Sequence, residues 1–432
     1  MRQKSHKDKS EQGSNGWLKL DNAAKIYPPV TRGELTGVFR LTAILAGPVH
    51  FDALSRAVTE TYRLFPTFSA ELCSGIFWYY LEQNGKPPRI LLDEGPKCQA
   101  FPKSKKGEVM YRILARDNRI SAEFLHIITD GGGAMMFFKT LLNNYAEKVS
   151  GEGNDCHVFP DINISTPITD SRDLFREFSK KKFPHPVKLA GAWHLPFALR
   201  EKPRFRSMSF SIPSDALQEA ARSCNATVTE FLAAVYLASL QDLRNKHGKG
   251  PRYLRVQVPV DLRRRFNADT VRNFSVFVMP ELDLRMGSYS FEEIIQEVRI
   301  AIGLMASDKR LTKIISRNVS KENNPLIRIA PLPVKRFFLR LAYNRLGISQ
   351  YSGVLTNLGR VGNSPGATSL VKGMLIVPPP SHRKIKVSCG VASFGNNTII
   401  TFGSITEDRS LEKSFISCLT GRKIPVKFLN SD

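Results

Sequence analysis

The chain has 432 residues, with 63 Lys and Arg against 39 Asp and Glu and a formal net charge of +24. Its 42% hydrophobic and 24% charged residues fit a globular chain with a large core, excluding disordered, collagen-like and disulfide-scaffold classes. No apolar run reaches the roughly 18 to 20 residues of a membrane span, and the start lacks a signal-peptide apolar stretch, so the sequence reads as non-spanning and cytoplasmic.

Residues 1–16 are polar, basic and glycine-containing, as expected of a flexible tail. Alternation over 35–45 predicts a strand, and the spacing of Leu54, Val58, Thr61 and Tyr62 predicts a helix over 51–62. Strands follow at 76–81, 89–92, 109–114 and 119–126, broken by Gly, Pro and Asn. Residues 133–149 form a helix with Met136, Phe137, Thr140, Leu141 and Tyr145 on one stripe. The proline-rich stretch 151–204 reads as a crossover, after which the pattern restarts.

In this second part, strands are predicted at 206–212, 253–260, 273–282, 353–358, 373–377, 385–394 and 398–402. Helices are predicted at 214–224, 229–243 and 290–305, with Pro213, Ser214, Thr227 and Thr229 as candidate caps. The segment 334–346 is a basic amphipathic helix, with Val334, Phe337, Phe338, Leu341 and Ala342 on one side and Lys335, Arg336 and Arg340 elsewhere. Such a stripe ordinarily packs on the core, and its basic face also suits a lipid interface. The economical summary is an α+β protein of two mixed halves, 17–180 and 181–432.

The charge is unevenly spread. Residues 1–180 hold 24 basic and 21 acidic side chains, residues 181–432 hold 39 and 18, and from Asn323 to Thr406 there is no acid at all. Beyond a merely solvated basic surface, this predicts an anionic partner: a phosphorylated co-substrate, an acidic carrier protein or an anionic membrane surface. Nucleic acid ranks last because no nucleic-acid module matches, and the run Arg263, Arg264, Arg265 reads as a solvated or phosphate-contacting loop. Six scattered cysteines, and His157, His185 and His194 without ligand spacing, predict free thiols and no metal site. No nucleophile elbow, GxGxxG or phosphate loop is present.

The segment Ser121 to Met136, SAEFLHIITDGGGAMM, carries the chemistry. An apolar strand ends on His126, and Asp130 follows four residues later, ahead of Gly131 and a helix. Glycine there accepts positive φ or the close approach of another backbone. This stretch resembles the signature of the thioester-dependent acyltransferase superfamily that includes chloramphenicol acetyltransferase, dihydrolipoyl acyltransferases, condensation domains and alcohol acetyltransferases. In that signature, His-(His)-x-x-x-Asp-Gly, the last histidine is catalytic. Leu125 stands in place of the first histidine of condensation domains, which favours a simpler O- or N-acyltransferase. WLKLDNAAKIYPP (17–29), RLFPTF (63–68), FWYYLE (77–82), TVTEFLAAVYLASL (227–240), PVDLRRRF (259–266) and RNF (272–274) extend the resemblance, nearest to alcohol-acetyltransferase-like proteins, over nearly the whole chain.

The resemblance implies two chloramphenicol-acetyltransferase-like halves with a tunnel between them, and one active site per chain, since ITEDRSLEK (405–413) lacks the histidine. It implies His126 as general base, Asp130 as an orienter paired with Arg63 or Arg263, and Gly131 in the turn. GVLTNLGRVG (353–362) resembles the dihydrolipoyl-acyltransferase strand whose hydroxyl faces the oxyanion, which maps to Thr356, with Asn357 second. Acyl-CoA or an acyl-carrier thioester is then the co-substrate, with no permanently bound cofactor. The acceptor is a small alcohol or a lipid, and the chain is expected to act as a monomer. Two other expectations are a non-catalytic or carrier-docking relative and a peripheral membrane enzyme acting on lipid alcohols.

Overall fold

The computed structural model describes residues 16–102, 107–151, 158–169, 172–179, 189–304, 307–320, 329–362 and 370–429. The expected tail, apart from Gly16, lies outside the described residues, as do Cys156, His157, His185, Met305 and the 180/181 boundary. The described cysteines are free thiols.

Three sheets organise the described residues. One has five strands in the order Val371–Val377, Val38–Leu45, Arg119–Leu125, Tyr111–Arg116 and Arg89–Leu92. Helices Phe51–Leu64 and Gly131–Ser150 cover it, and Phe65, Phe68, Tyr111, Phe124 and Phe137 form its aromatic centre. The second has eight strands. Its path runs Ser275–Val278, Tyr253–Asp261, Gly353–Gly362, Val387–Phe394, Asn397–Ser404, Arg206–Pro213 and Lys427–Phe428, with Glu281–Asp283 also paired to Tyr253–Asp261. Trp17–Lys19, Tyr79–Gln83 and Ala70–Ser74 make a small third sheet.

The core of the second half is built around helix Val228–His247. Apolar residues surround it on nearly every side, and a helix apolar all round must be enclosed. Thr227 caps it by accepting the Glu230 N–H while Glu230 reaches back to the Thr227 N–H. The strand Val371–Val377 crosses between the halves. It lies late in the sequence yet runs antiparallel to Val38–Leu45 in the five-stranded sheet. Val38, Leu375, Val377 and Ile399 then share one cluster with members in both large sheets.

Several elements differ from expectation. The run 273–282 divides into Ser275–Val278 and Glu281–Asp283 because Pro280 has no N–H to continue the ladder. The strand expected at 76–81 occupies Tyr79–Gln83, leaving Ile76 and Phe77 at an exposed hairpin tip. Helices Asp308–Ser320 and Ser410–Thr420 and strands Trp17–Lys19 and Ala70–Ser74 occur where no element was expected. Helix Asp308–Ser320 buries only Leu311, Ile315, Ser316 and Val319, and its support is a cluster with Leu174, Phe175 and Phe274 from distant segments. The basic amphipathic helix forms at Leu332–Ala342, but it buries Leu332 and Lys335 and turns its apolar stripe outward, correcting the expectation of core packing.

Candidate active site at the junction of the halves

Strand Arg119–Leu125 ends one residue before His126, whose N–H donates to the Gly37 carbonyl at 2.9 Å. Gly37 has φ +67, a conformation that favours glycine, and a Cβ there would meet Thr31 at 3.1 Å. The imidazole lies between two rings. Tyr27 stacks on it with centroids 4.8 Å apart and planes 11° apart, and Phe39 tilts against it at 5.0 Å. Burial lowers the His126 pKa below its ordinary value, against the opposing pull of Asp130 and Asn273. The ring is therefore neutral at pH 7.

Its tautomer follows from the neighbours. Asn273 Nδ2 donates to Asp21 Oδ2 at 3.1 Å, which turns Asn273 Oδ1 toward His126 Nδ1 at 3.2 Å. That oxygen can only accept, so Nδ1 carries the proton and Nε2 keeps its lone pair. Asp21 is itself fixed. It is buried, accepts the Ala24 N–H at 2.7 Å and lies 3.7 Å from Arg272 Nε.

Asp130 faces the helix rather than the imidazole. As N-cap of Gly131–Ser150, its Oδ1 accepts the N–H groups of Gly132 and Gly133, each at 3.1 Å. Arg263 chelates the same carboxylate, with Nη2 2.6 Å from Oδ1 and Nη1 3.2 Å from Oδ2, and the Phe274 N–H adds 2.8 Å to Oδ2. Although burial pushes its pKa up, Arg263 and these N–H donors prevail and hold the carboxyl below its ordinary value. Of the two arginines expected to pair with Asp130, Arg263 does so, while Arg63 is exposed on helix Phe51–Leu64. Arg263 is also buried, correcting its reading as part of a solvated loop; Arg265 pairs with Asp308 at 2.7 Å.

None of the turn's glycines has positive φ, and close approach constrains Gly132 and Gly133. A Cβ on Gly133 would land on the Val271 carbonyl, and one on Gly132 would lie 2.6 Å from Arg263 Nη1. A Cβ on Gly131 would meet only the tip of Leu358, at 2.8 Å. Thr129 donates to the Val271 carbonyl at 2.6 Å. The loop 263–274 of the second half thus grips residues 126–133 of the first through side chains and backbone together.

The Gly353–Gly362 strand arrives from the other side. Leu355 points into the second core, and Thr356 and Leu358, alternating with it, share the opposite side, where Leu358 touches the Gly131 turn. Thr356 is partly buried. Asn357 is occupied: Nδ2 donates to Thr229 Oγ1 at 3.0 Å and Oδ1 accepts the Gly359 N–H at 2.8 Å.

Sequence reasoning named His126, Asp130 and Arg263 but not Asn273, Asp21 or Tyr27 as working residues, although all three stand in stretches that carry the resemblance. Their signal is tertiary, since Asn273 reaches His126 across 147 positions. Glu71, Cys73 and Glu82 bring three donor atoms within 4.8 Å of one another on the small sheet, a grouping that spacing did not reveal. Glu71 already accepts the Gly107 N–H, and Cys73 donates to Glu82 at 3.4 Å.

No protein-family model and no curated protein sequence matches the chain. Solved structures do match it by fold. TRI101 of F. sporotrichioides, complexed with coenzyme A and T-2, superposes with TM-score 0.61 at 10% identity, covering 96% of this chain and 100% of that one. The first condensation domain of the calcium-dependent antibiotic synthetase, with a substrate analogue, gives 0.62 at 13% identity over 94% and 96%. The wax ester synthase/diacylglycerol acyltransferase of Marinobacter aquaeolei VT8 gives 0.53 at 12% over 94% and 100%. The chain thus has the mixed α+β fold that these solved structures share.

Proposed function

We propose that this protein is an acyltransferase that moves an acyl group from a thioester, acyl-CoA or a carrier-bound acyl chain, to a hydroxyl acceptor. The observation carrying this reading is the 3.2 Å contact of His126 Nδ1 with Asn273 Oδ1, which favours the proton on Nδ1 and leaves the lone pair on Nε2. It sits in a fold whose solved neighbours include acetyltransferases, condensation domains and a wax ester synthase. The complex of TRI101 with coenzyme A supports acyl-CoA as donor.

In this mechanism Nε2 takes the acceptor's hydroxyl proton as its oxygen attacks the thioester carbonyl. The tetrahedral anion collapses by breaking the carbon–sulfur bond, and the imidazolium returns the proton to the departing thiolate. Ester and free thiol are the products, with no acyl-enzyme. Asp130, Arg263, Asn273 and Asp21 position the imidazole. Thr356 is the oxyanion donor, on the strand side nearest the Gly131 turn, with Asn357 second because its amide is already engaged.

Thiol release from acyl-CoA over a panel of alcohols tests the reading. Turnover that depends on His126 supports it, whereas absence of transfer from both CoA and carrier donors points to a non-catalytic or carrier-docking relative.

A further inference from the structure

The helix Leu332–Ala342 is assembled the wrong way round for a globular surface. Val334 is 45% exposed, Phe337 65% and Phe338 60%, and Leu341 extends the stripe, while the polar Lys335 is buried beneath. Lys335 anchors the helix: its ammonium donates to the Phe77 carbonyl at 2.9 Å and lies 3.5 Å from the centre of the Trp78 ring. The Leu332 N–H donates to the Ile76 carbonyl at 2.9 Å. These bonds fix the helix beside the hairpin tip that carries exposed Ile76 and Phe77, so two elements present apolar side chains together. Single exposed hydrophobics are ordinary, but a coherent stripe held outward by a buried lysine is not.

The surroundings name the occupant. Arg336 and Arg340 flank the stripe, Arg345 follows it, and no carboxylate is in ion-pair distance of Arg336 or Arg345 among the described residues. The chain from Asn323 to Thr406 carries ten basic residues and no acid. Phe and Leu prongs rimmed by arginine match the boundary between acyl chains and anionic headgroups. We propose that Leu332–Ala342 and the Ile76/Phe77 hairpin form a docking surface for an anionic lipid bilayer, with the aromatic stripe inserted and Arg336 and Arg345 at headgroup level. The helix is also tied toward the active site. Arg340 Nε donates to the Pro29 carbonyl, in the segment whose Tyr27 stacks on His126, so a docked bilayer lies one segment from the imidazole. The docking itself does not depend on acyl transfer.

The test is co-sedimentation of the full chain with phosphatidylcholine vesicles, with and without phosphatidylserine, across a salt series. Expected is binding that requires phosphatidylserine, weakens as salt rises and falls at least about tenfold in Phe337→Glu/Phe338→Glu. Arg336→Glu/Arg345→Glu should weaken binding to charged vesicles as well. Ile76→Glu, on the separate hairpin, must weaken it independently of any change in the helix. Melting temperature checks that the variants fold. The proposal is overturned if vesicles are not bound, or are bound equally by all variants. It is overturned too if the stripe serves instead a concentration-dependent dimer or a purified acidic acyl carrier protein while vesicles are ignored.

Discussion

Asn273 joins two distant groups of the first half, accepting from His126 Nδ1 at 3.2 Å and donating to Asp21 at 3.1 Å. Because Asn273 belongs to the second half, the bond that favours the Nδ1–H tautomer of His126 forms only where the two halves meet. Removing it should therefore alter the imidazole itself. For Asn273→Ala we expect kcat to fall about 10- to 100-fold, part of the roughly 10² to 10⁴ that a general base supplies. The acid limb of the rate profile should also move to lower pH, since this hydrogen bond raises the His126 pKa. A lower rate with an unmoved limb would reduce Asn273 to a packing role.

In the parent, kcat/KM should rise with pH through a midpoint below the ordinary imidazole value of about 6.5, because burial between Tyr27 and Phe39 disfavours the charged ring. Stability follows the same sign. As pH falls from that ordinary value to the lower folded one, the unfolded chain binds the proton first, so protonation favours unfolding. A midpoint at or above pH 7, about the ordinary value or higher, contradicts this environment.

Asp130 makes a different prediction, because its carboxylate bonds to a buried guanidinium and three N–H groups rather than to His126. Asp130→Asn should cost about 3 kcal/mol or more, the range for breaking a buried pair, and lower activity indirectly by loosening the turn. The folded pKa is depressed, so the stabilisation is present above the ordinary carboxylate value and is lost as pH falls through the folded one. Urea melts of parent and variant should thus converge on acidification. Equal stability at pH 7 would show that the pair contributes nothing.

The three glycines after Asp130 should not respond alike to alanine. Gly133→Ala forces Cβ onto the Val271 carbonyl and should destabilise by about 1 to 3 kcal/mol, the usual overpacking cost. Gly131→Ala meets only the flexible end of Leu358 and should be milder in a thermal melt. The reverse order would place the turn elsewhere.

Much of this is legible in the sequence, and the exceptions have a common cause. The strand ending just before His126, the helix after Asp130 and the capped helix at Val228–His247 are set by local periodicity and caps, so pattern alone finds them. Asp308–Ser320 is not among them, because its three buried apolar residues become a face only against Leu174 and Phe274. Asn273 and Asp21 are ordinary polar residues in sequence and acquire a role only through a contact spanning 252 positions. The helix at Leu332–Ala342 is evident from its period but its facing is not, since periodicity gives a stripe and not the direction it points. The bonds of Lys335 to the Phe77 carbonyl and of Arg340 to the Pro29 carbonyl decide that.

The central claim is that His126 is the base of a thioester-consuming reaction. The most direct measurement is the rate of thiol release from acyl-CoA with a working alcohol, parent against His126→Ala. A loss of about 10² to 10⁴ in kcat with the fold retained is expected. A His126→Ala protein that turns over as fast as the parent would contradict it.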